Sequence, residues 1–460
     1  MGAIARNFYR EDMNILHPRI DWRGDGPGLV ESEFPLYPWT VAVLYDAFGY
    51  HEQVARLVSL GVSLLACWVF FRIAERLLPP TGLVAAIAVF AVNPLAVRLS
   101  TAVQPEPLMF LFYLAAAYFF LRWIDGFRRS DYVLAAAMTA LAILAKLPAA
   151  NIGLFFAALC LERFGWRVTA RRDLWLFVAL SLGPPAAWYA FAHSYWTEYG
   201  NSLGMSNEAY ARIASLGLFS AFPKQLANSV RIEIHWIWTL PGAIAALAGI
   251  PSVRVPEGRV VLYWLLALVI LYVVTIRTTG EDWAFYYHIG SLPVACLAIG
   301  FGVANLLEPT LSGRAAPAPA IVGVALLALV GFLQLRATKQ QSHPKWAGPT
   351  YECARSFEPL VAEGALIIAS GGADKDKRGN KSATNAPYFF FWMNRKGFSL
   401  PDSEQSFESL EQLRRRGAHY FVAEPSRLAR TDGFEMDLRR TYRVLAECEP
   451  AILFDLAAPP

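Results

Sequence analysis

The sequence predicts a mainly α, polytopic helical membrane bundle of about ten visible spans, followed by a small C-terminal α/β domain. Three observations carry this expectation. Of 460 residues, 55% are hydrophobic and only 17% charged, and mean hydropathy is +0.35, a balance that a single water-soluble core does not accommodate. Apolar stretches long enough to cross a bilayer recur between about residues 53 and 336. Beyond residue 337 the pattern changes to alternating apolar runs separated by a charged amphipathic segment. The formal net charge of +4 is small, and the basic residues fall in short clusters between apolar runs, which excludes a nucleic-acid-binding class.

The first segment, residues 1–52, reads as an outer loop with interfacial helices. Its first 35 residues lack the apolar core of a signal peptide, so insertion is left to the chain's own spans. The stretch "ILHPRIDWRGDGPGLVESEFPLYPW" places Asp21, Asp25, Glu31 and Glu33 among glycines and prolines that forbid a regular helix. "YPWTVAVLYDAFG" then predicts a short helix at the membrane interface.

The bundle, residues 53–336, is read as ten spans at 53–75, 82–99, 105–124, 131–147, 149–163, 174–195, 234–251, 259–276, 285–306 and 317–336. The connections alternate in charge. One set holds Arg72, Arg76, Arg122, Arg128, Arg129, Arg163, Arg167, Arg171, Arg172, Arg254, Arg259 and Arg314, and is assigned to the cytoplasm. The other is poorer in basic residues, so 1–52, 196–233, 277–284 and the chain beyond 337 face outward. An even number of spans with an outward C-terminus requires an outward N-terminus. Nothing before residue 36 would carry it across, so the expectation is either translocation of a short tail or a helix upstream of Met1.

In the extracytoplasmic domain, residues 337–460, "GALIIAS" and "AHYFVAE" read as strands and "SFESLEQLRRRG" as a helix. "SGGADKDKRGNKSATN" reads as a mobile loop. Cys67, Cys160 and Cys296 sit in apolar runs as small core residues. Cys353 and Cys448 lie in the polar tail, where an extracytoplasmic setting permits a disulfide or leaves two thiols.

Four outward segments hold the polar chemistry. Glu31, Glu33 and Asp21 are either solvated loop acids, general bases toward a hydroxyl, or ligands of a divalent cation. "RLSTAVQPEPLMF" sets Arg98, Gln104 and Glu106 at a helix mouth, where a proline-flanked glutamate is either a positioned acid or an ordinary first-turn residue. Lys146 in "ILAKLPA" must snorkel or meet an anion such as a lipid phosphate, because a lysine near the bilayer centre costs about 2.5–3.5 kcal/mol. "IRTTGEDWAFYYHIGSLP" adds Arg277, Tyr287 and His288, the histidine being a metal ligand, a phosphate donor or structural.

The stretch "ARNFYREDMNILHPRIDWRGDGPGLVESEFPLYP", with "QPEPLM", "AKLP" and "YYHIGSLP", resembles the GT-C-type membrane glycosyltransferases, in the branch related to protein O-mannosyltransferases and the lipid A aminoarabinose transferase. The resemblance runs from residue 3 to about 336 and implies transfer of a sugar from a polyprenyl-phosphate carrier to a lipid, polysaccharide or protein acceptor on the outer face. The family's catalytic acid ahead of the "ARNFY"-like stretch has no counterpart after Met1. Glu33 matches the acid of the family's first loop and is the leading catalytic residue, with Glu31 and Asp21 behind it. Lys146, Arg98 and Arg277 are expected on the donor phosphate, and Gln104, Glu106 and Tyr287 elsewhere in the site. A divalent metal cation, if used, is expected on Glu33 and His288.

Such a transfer passes through an oxocarbenium-like state with negative charge growing on the leaving phosphate, which explains the demand for cations and a base. Two other readings stand beside it. A transporter or flippase of lipid-linked saccharides would place polar groups at mid-membrane depth in paired broken spans, whereas here they cluster on one side. A catalytically degenerate binding subunit would keep the fold without the chemistry. For a bacterial source, the expected location is the inner membrane with a periplasmic active face.

Overall fold

Helix-breaking residues decide where the apolar runs become helices. In the computed structural model of the chain, residues 1–205, 223–341, 348–372 and 387–457 are described. They divide into two units, one holding the described residues of Met1–Tyr50, Tyr189–Arg212 and Pro344–Pro460, the other those of His51–Trp188 and Ile213–His343. The N-terminal segment, expected as a separate loop, therefore packs with the C-terminal domain.

Two helices, α1 (Gly2–Arg10) and α2 (Leu36–Phe48), lie in the N-terminal segment, α2 where the sequence predicts it. The helical unit follows with α3 (Glu52–Leu77), α4 (Pro80–Val92), α5 (Pro94–Leu99), α6 (Glu106–Gly126), α7 (Arg129–Ala145) and α8 (Ile152–Phe164). Helix α9 (Arg172–Tyr199) begins in this unit and ends in the other. Then come α10 (Pro223–Ile232), α11 (Leu240–Ala248), α12 (Pro256–Val274), α13 (Ser291–Leu311) and α14 (Ala318–Gln341).

Among the described residues seven helical segments are long and apolar enough to cross a membrane, rather than ten. The expected span 82–99 is broken because Asn93 caps α5, accepting from the amides of Leu95 and Ala96, and Pro94 opens the new helix. The span 234–251 is interrupted at Thr239, whose φ of +56° ends the π-helical turn Glu233–Trp238 before α11 starts. Helix α7 holds 17 residues and falls just short. The segment 149–163 instead lengthens, continuing through short 3-10 turns over Leu147–Ala170.

Helix α13 is the most buried of the spans. It reaches that position through small residues: a Cβ on Gly302 would lie 1.8 Å from the Ala245 carbonyl oxygen of α11, and one on Gly300 would lie 2.7 Å from the Gly82 carbonyl oxygen of α4. Close backbone approach is what glycine provides between helices that cannot rely on hydrophobic contrast with lipid.

The other unit is built on a five-stranded sheet ordered β2-β1-β3-β5-β4, with strands β1 (Leu366–Gly372), β2 (Lys396–Pro401), β3 (Ala418–Ala423), β4 (Arg443–Cys448) and β5 (Ala451–Asp455). β2, β1 and β3 run parallel; β5 is antiparallel to β3 and β4. Helices α15 (Gly348–Phe357), α16 (Phe407–Arg415) and α17 (Phe434–Thr441) cover its faces, and Cys353 and Cys448 form a disulfide across 95 residues. The two predicted strands and the helix appear as β1, β3 and α16. The loop predicted over 370–385 lies, from residue 373 onward, outside the described residues.

The edge strand β2 does not face solvent bare. Gly24 N donates to Gly397 O at 2.7 Å and Gly397 N donates to Asp21 O at 3.1 Å, so the N-terminal segment pairs along it. Glycine is required at this seam: Gly397 has a φ of +153° and a Cβ there would sit 1.8 Å from the Ile367 carbonyl oxygen.

Candidate functional site

The predicted site residues fall into two groups, one in each unit. In the α/β unit, the segment 18–30 doubles back as an irregular hairpin, with Ile20 N bonded to Gly28 O and Val30 N to Pro18 O. Asp21 is buried there; Arg6 donates to one carboxylate oxygen at 2.7 Å and Asn7 to the other at 2.9 Å. With both oxygens engaged, Asp21 anchors α1 to the hairpin. Asp25 lies at the surface, where the Arg416 guanidinium holds its carboxyl below the usual range.

Glu31 is buried as well, but its surroundings differ. Its Oε2 accepts from Ser202 Oγ at 2.6 Å, and its Oε1 lies 3.0 Å from Nδ1 of His193, a half-exposed ring near the end of α9. Backbone pairing with Asn201 and Leu203 fixes the residue in place. A buried carboxylate on one imidazole nitrogen sets the ring's orientation and tautomer, the arrangement used wherever histidine carries protons. Glu33, half-buried, occupies the bend just before α2, where Ser32 Oγ donates to its carbonyl.

In the helical unit three sequence motifs converge. Glu106, between two prolines, is the first residue of α6, where the helix dipole favours a carboxylate. Lys146 is the extended residue that terminates α7. The two are buried and ion-paired through Glu106 Oε1, while among the described residues Glu106 Oε2 has no hydrogen-bond partner. The Lys146 ammonium also lies 4.7 Å from the ring centroids of both Tyr286 and Tyr287, on the 3-10 turn Asp282–Gly290. Such a cation is held by ring quadrupoles as well as by charge. On the same turn, Phe285 lies 4.7 Å beneath the Arg98 guanidinium, which has no carboxylate partner among the described residues. Gln104 precedes this cluster on the approach to α6, half-buried, and Arg277 is half-buried on the single turn Ile276–Thr279.

Two hollows adjoin the pair. A cavity of about 20 Å³, room for one water, is lined by Glu106, Tyr113, Lys146, Asn151, Tyr286 and Tyr287 among others. An apolar pocket of about 250 Å³ is lined by Leu60, Leu64, Cys67, Phe90, Val97 and Phe110, and Glu106 forms part of its wall.

His288 belongs to a different network. It is fully buried and stacked on Tyr272, its Nε2 donating to the Thr279 carbonyl at 2.9 Å and its Nδ1 lying 2.6 Å from Glu233 Oε1. Ser291 and Trp238 donate to the same carboxylate. Both ring nitrogens of His288 are thus engaged, one by Glu233 and the other by the Thr279 carbonyl. Among the described residues no group of three or more His, Cys, Asp or Glu side chains is placed to hold a metal ion.

Sequence reasoning missed Glu233, His193 and Ser202. Glu233 and His193 are isolated polar residues at the ends of apolar runs and have no diagnostic spacing; only their cost in such a setting flags them. Ser202 has no signal at all.

Comparisons with known proteins bear on the fold and the family. Residues 27–189, which include Glu31, Glu33, Glu106 and Lys146, match the family described as dolichyl-phosphate-mannose-protein mannosyltransferase. No curated protein sequence matches the chain. Among solved structures, ArnT from Cupriavidus metallidurans in the apo state superposes with a TM-score of 0.66 at 14% identity, over 100% of this chain and 94% of that one. The same protein bound to undecaprenyl phosphate gives 0.63 at 14% identity, with the same coverage. The arabinofuranosyltransferase AftD from Mycobacteria gives 0.51 at 14% identity, over 99% of this chain and 39% of that larger one. The chain is therefore a multi-pass membrane protein with the GT-C-type glycosyltransferase fold.

Proposed function

We propose that the protein moves a sugar from a polyprenyl-phosphate donor to an acceptor on the outer face of a cell (inner) membrane, with its C-terminal domain on that side. The observation that carries this reading is the buried Lys146–Glu106 pair, whose Glu106 forms part of the wall of an apolar pocket. A polyprenyl phosphate has two needs, an apolar channel for the tail and a cation for the head, and these adjoin here. ArnT, which shares the fold, has been solved with undecaprenyl phosphate bound.

In this reading the bond between the sugar's anomeric carbon and the phosphate oxygen breaks, and its electron pair leaves with the phosphate. Lys146, Arg98 and Arg277 stabilise that growing charge, more effectively in a poorly hydrated setting than in water. Lys146 is pre-positioned by Glu106 and the two tyrosines; Arg98 is held by Phe285 and, among the described residues, has no carboxylate to neutralise it. Gln104 and Tyr287 contribute polar contacts to the donor. The acceptor hydroxyl oxygen bonds to the anomeric carbon, and its proton passes to a carboxylate base, for which the sequence offers Glu33 and then Glu31.

The test is direct binding of undecaprenyl phosphate to the purified chain, read by native mass spectrometry or tryptophan quenching. Binding weakened at least tenfold in Arg98→Ala, and unchanged in a surface control such as Arg355→Ala, is the expected result. Binding by Arg98→Ala and Lys146→Met as tight as that of the wild type would overturn the donor assignment.

A further inference from the structure

A second hollow of about 480 Å³ lies wholly within the α/β unit, between the N-terminal hairpin, the chain just after α9, and the β2 and α16 face of the sheet domain. Its lining is unlike the apolar pocket. Trp22 and Trp196 present indole rings, and Asn201, Ser202, Gln412 and Glu404 present amide, hydroxyl and carboxylate groups. Among the described residues the two indole N–H groups, the Gln412 amide and the Glu404 carboxylate have no hydrogen-bond partners, and the buried Ser399 Oγ in the same wall has none either. The cationic residues of the lining are already neutralised, Arg23 by Glu11 at 3.0 Å and Arg416 by Asp25 at 2.5 Å.

We infer that this hollow binds a short neutral saccharide, the acceptor glycan. Indole faces pack against the C–H faces of pyranose rings, while indole N–H, amide and carboxylate groups serve ring hydroxyls that both donate and accept. The paired arginines disfavour a phosphorylated or acidic ligand, since a second anion would have to displace Glu11 or Asp25. The volume falls within the about 300–1,000 Å³ of small-ligand sites. The site also communicates with the carboxylates: Ser202, part of its wall, donates to Glu31 at 2.6 Å, so the saccharide lies one hydroxyl away from a proposed base.

The binding claim stands on this geometry alone; calling the saccharide an acceptor rests on the transferase reading. The full chain in detergent is titrated with mannotriose, cellotriose and a Ser/Thr-rich peptide, using saturation-transfer NMR and tryptophan fluorescence. Hydrolytic release of sugar from a polyprenyl-phosphate donor is measured in parallel. Saccharide binding that weakens at least tenfold in Trp196→Ala and in the surface variant Gln412→Ala, with donor hydrolysis unchanged, is the expected result. Absence of saccharide binding, binding indifferent to both variants, or binding of the peptide alone would overturn the inference. Loss of donor hydrolysis in every form with saccharide binding intact would instead remove the transferase reading and leave the site standing.

Discussion

At the scale of single residues, the structure separates charges that hold the fold from charges free to act. Asp21 and Arg6 are both buried and their pairing is supplemented by Asn7. Asp21→Ala leaves the Arg6 guanidinium uncompensated and is expected to destabilise the α/β unit by about 3–5 kcal/mol, measurable as a lowered unfolding midpoint. Asp21→Asn, which keeps a hydrogen-bond acceptor, should cost less. Were Asp21 a catalytic acid instead, Asp21→Asn would remove turnover with no change in stability. Lys146 and Glu106 form the corresponding pair in the helical unit, and here one carboxylate oxygen has no partner among the described residues. Lys146→Met alone is therefore expected to be less stable than the double variant Lys146→Met with Glu106→Gln, because the double change leaves no isolated buried charge. Thermal unfolding of the three forms in one detergent compares them directly.

At the scale of elements, helix packing and the covered sheet edge make separate predictions. Gly302→Leu cannot be accommodated against the Ala245 carbonyl, so α13 must shift from α11; the expected outcome is loss of folded, monodisperse protein on size exclusion. In the α/β unit, Glu11 ties the end of α1 to Arg23 and to Lys396 of β2. Burial tends to raise its pKa, but the hydrogen bonds from Arg23 and Lys396 outweigh burial and hold it below 4.5. A carboxylate lowered in the folded state contributes stability above its unfolded pKa and loses it as pH falls through the folded value. The gap in melting temperature between wild type and Glu11→Gln should therefore be full at pH 7 and close as pH drops below 4.5. A gap that widens in acid would show that Glu11 folds protonated.

Much of the element pattern was legible in the sequence, and the misses have physical causes. Hydropathy found the apolar runs, and period-two alternation found β1 and β3. It could not see that Asn93 would cap a new helix, or that Thr239 would adopt a positive φ, because both sit inside runs that remain apolar on average. The motifs around Glu106, Lys146 and Tyr287 were each recognisable as polar groups in costly positions. Their convergence was not, since 40 residues separate Glu106 from Lys146 and no local rule pairs them. The partner of His288 was illegible for the same reason: Glu233 lies 55 residues away.

At the scale of the whole molecule, the chain combines a helical unit carrying buried cations with an α/β unit carrying carboxylates and a polar hollow. The disulfide between Cys353 and Cys448 closes a loop of 95 residues. On the chain-entropy view such a link is worth about 4–5 kcal/mol, so Cys353→Ala with Cys448→Ala is expected to lower the melting temperature of the α/β unit while leaving the helical unit's transition in place. The bond also accords with the extracytoplasmic side proposed for this domain. The most direct measurement of the central claim is turnover itself: the purified chain, reconstituted in liposomes with a radiolabelled polyprenyl-phosphate sugar, assayed for sugar release beside Lys146→Ala and Glu33→Gln. The account predicts release by the wild type that falls about 100-fold in each variant. Release that is equal in all three, or passage of the intact lipid-linked sugar across the bilayer with no bond broken, would contradict it.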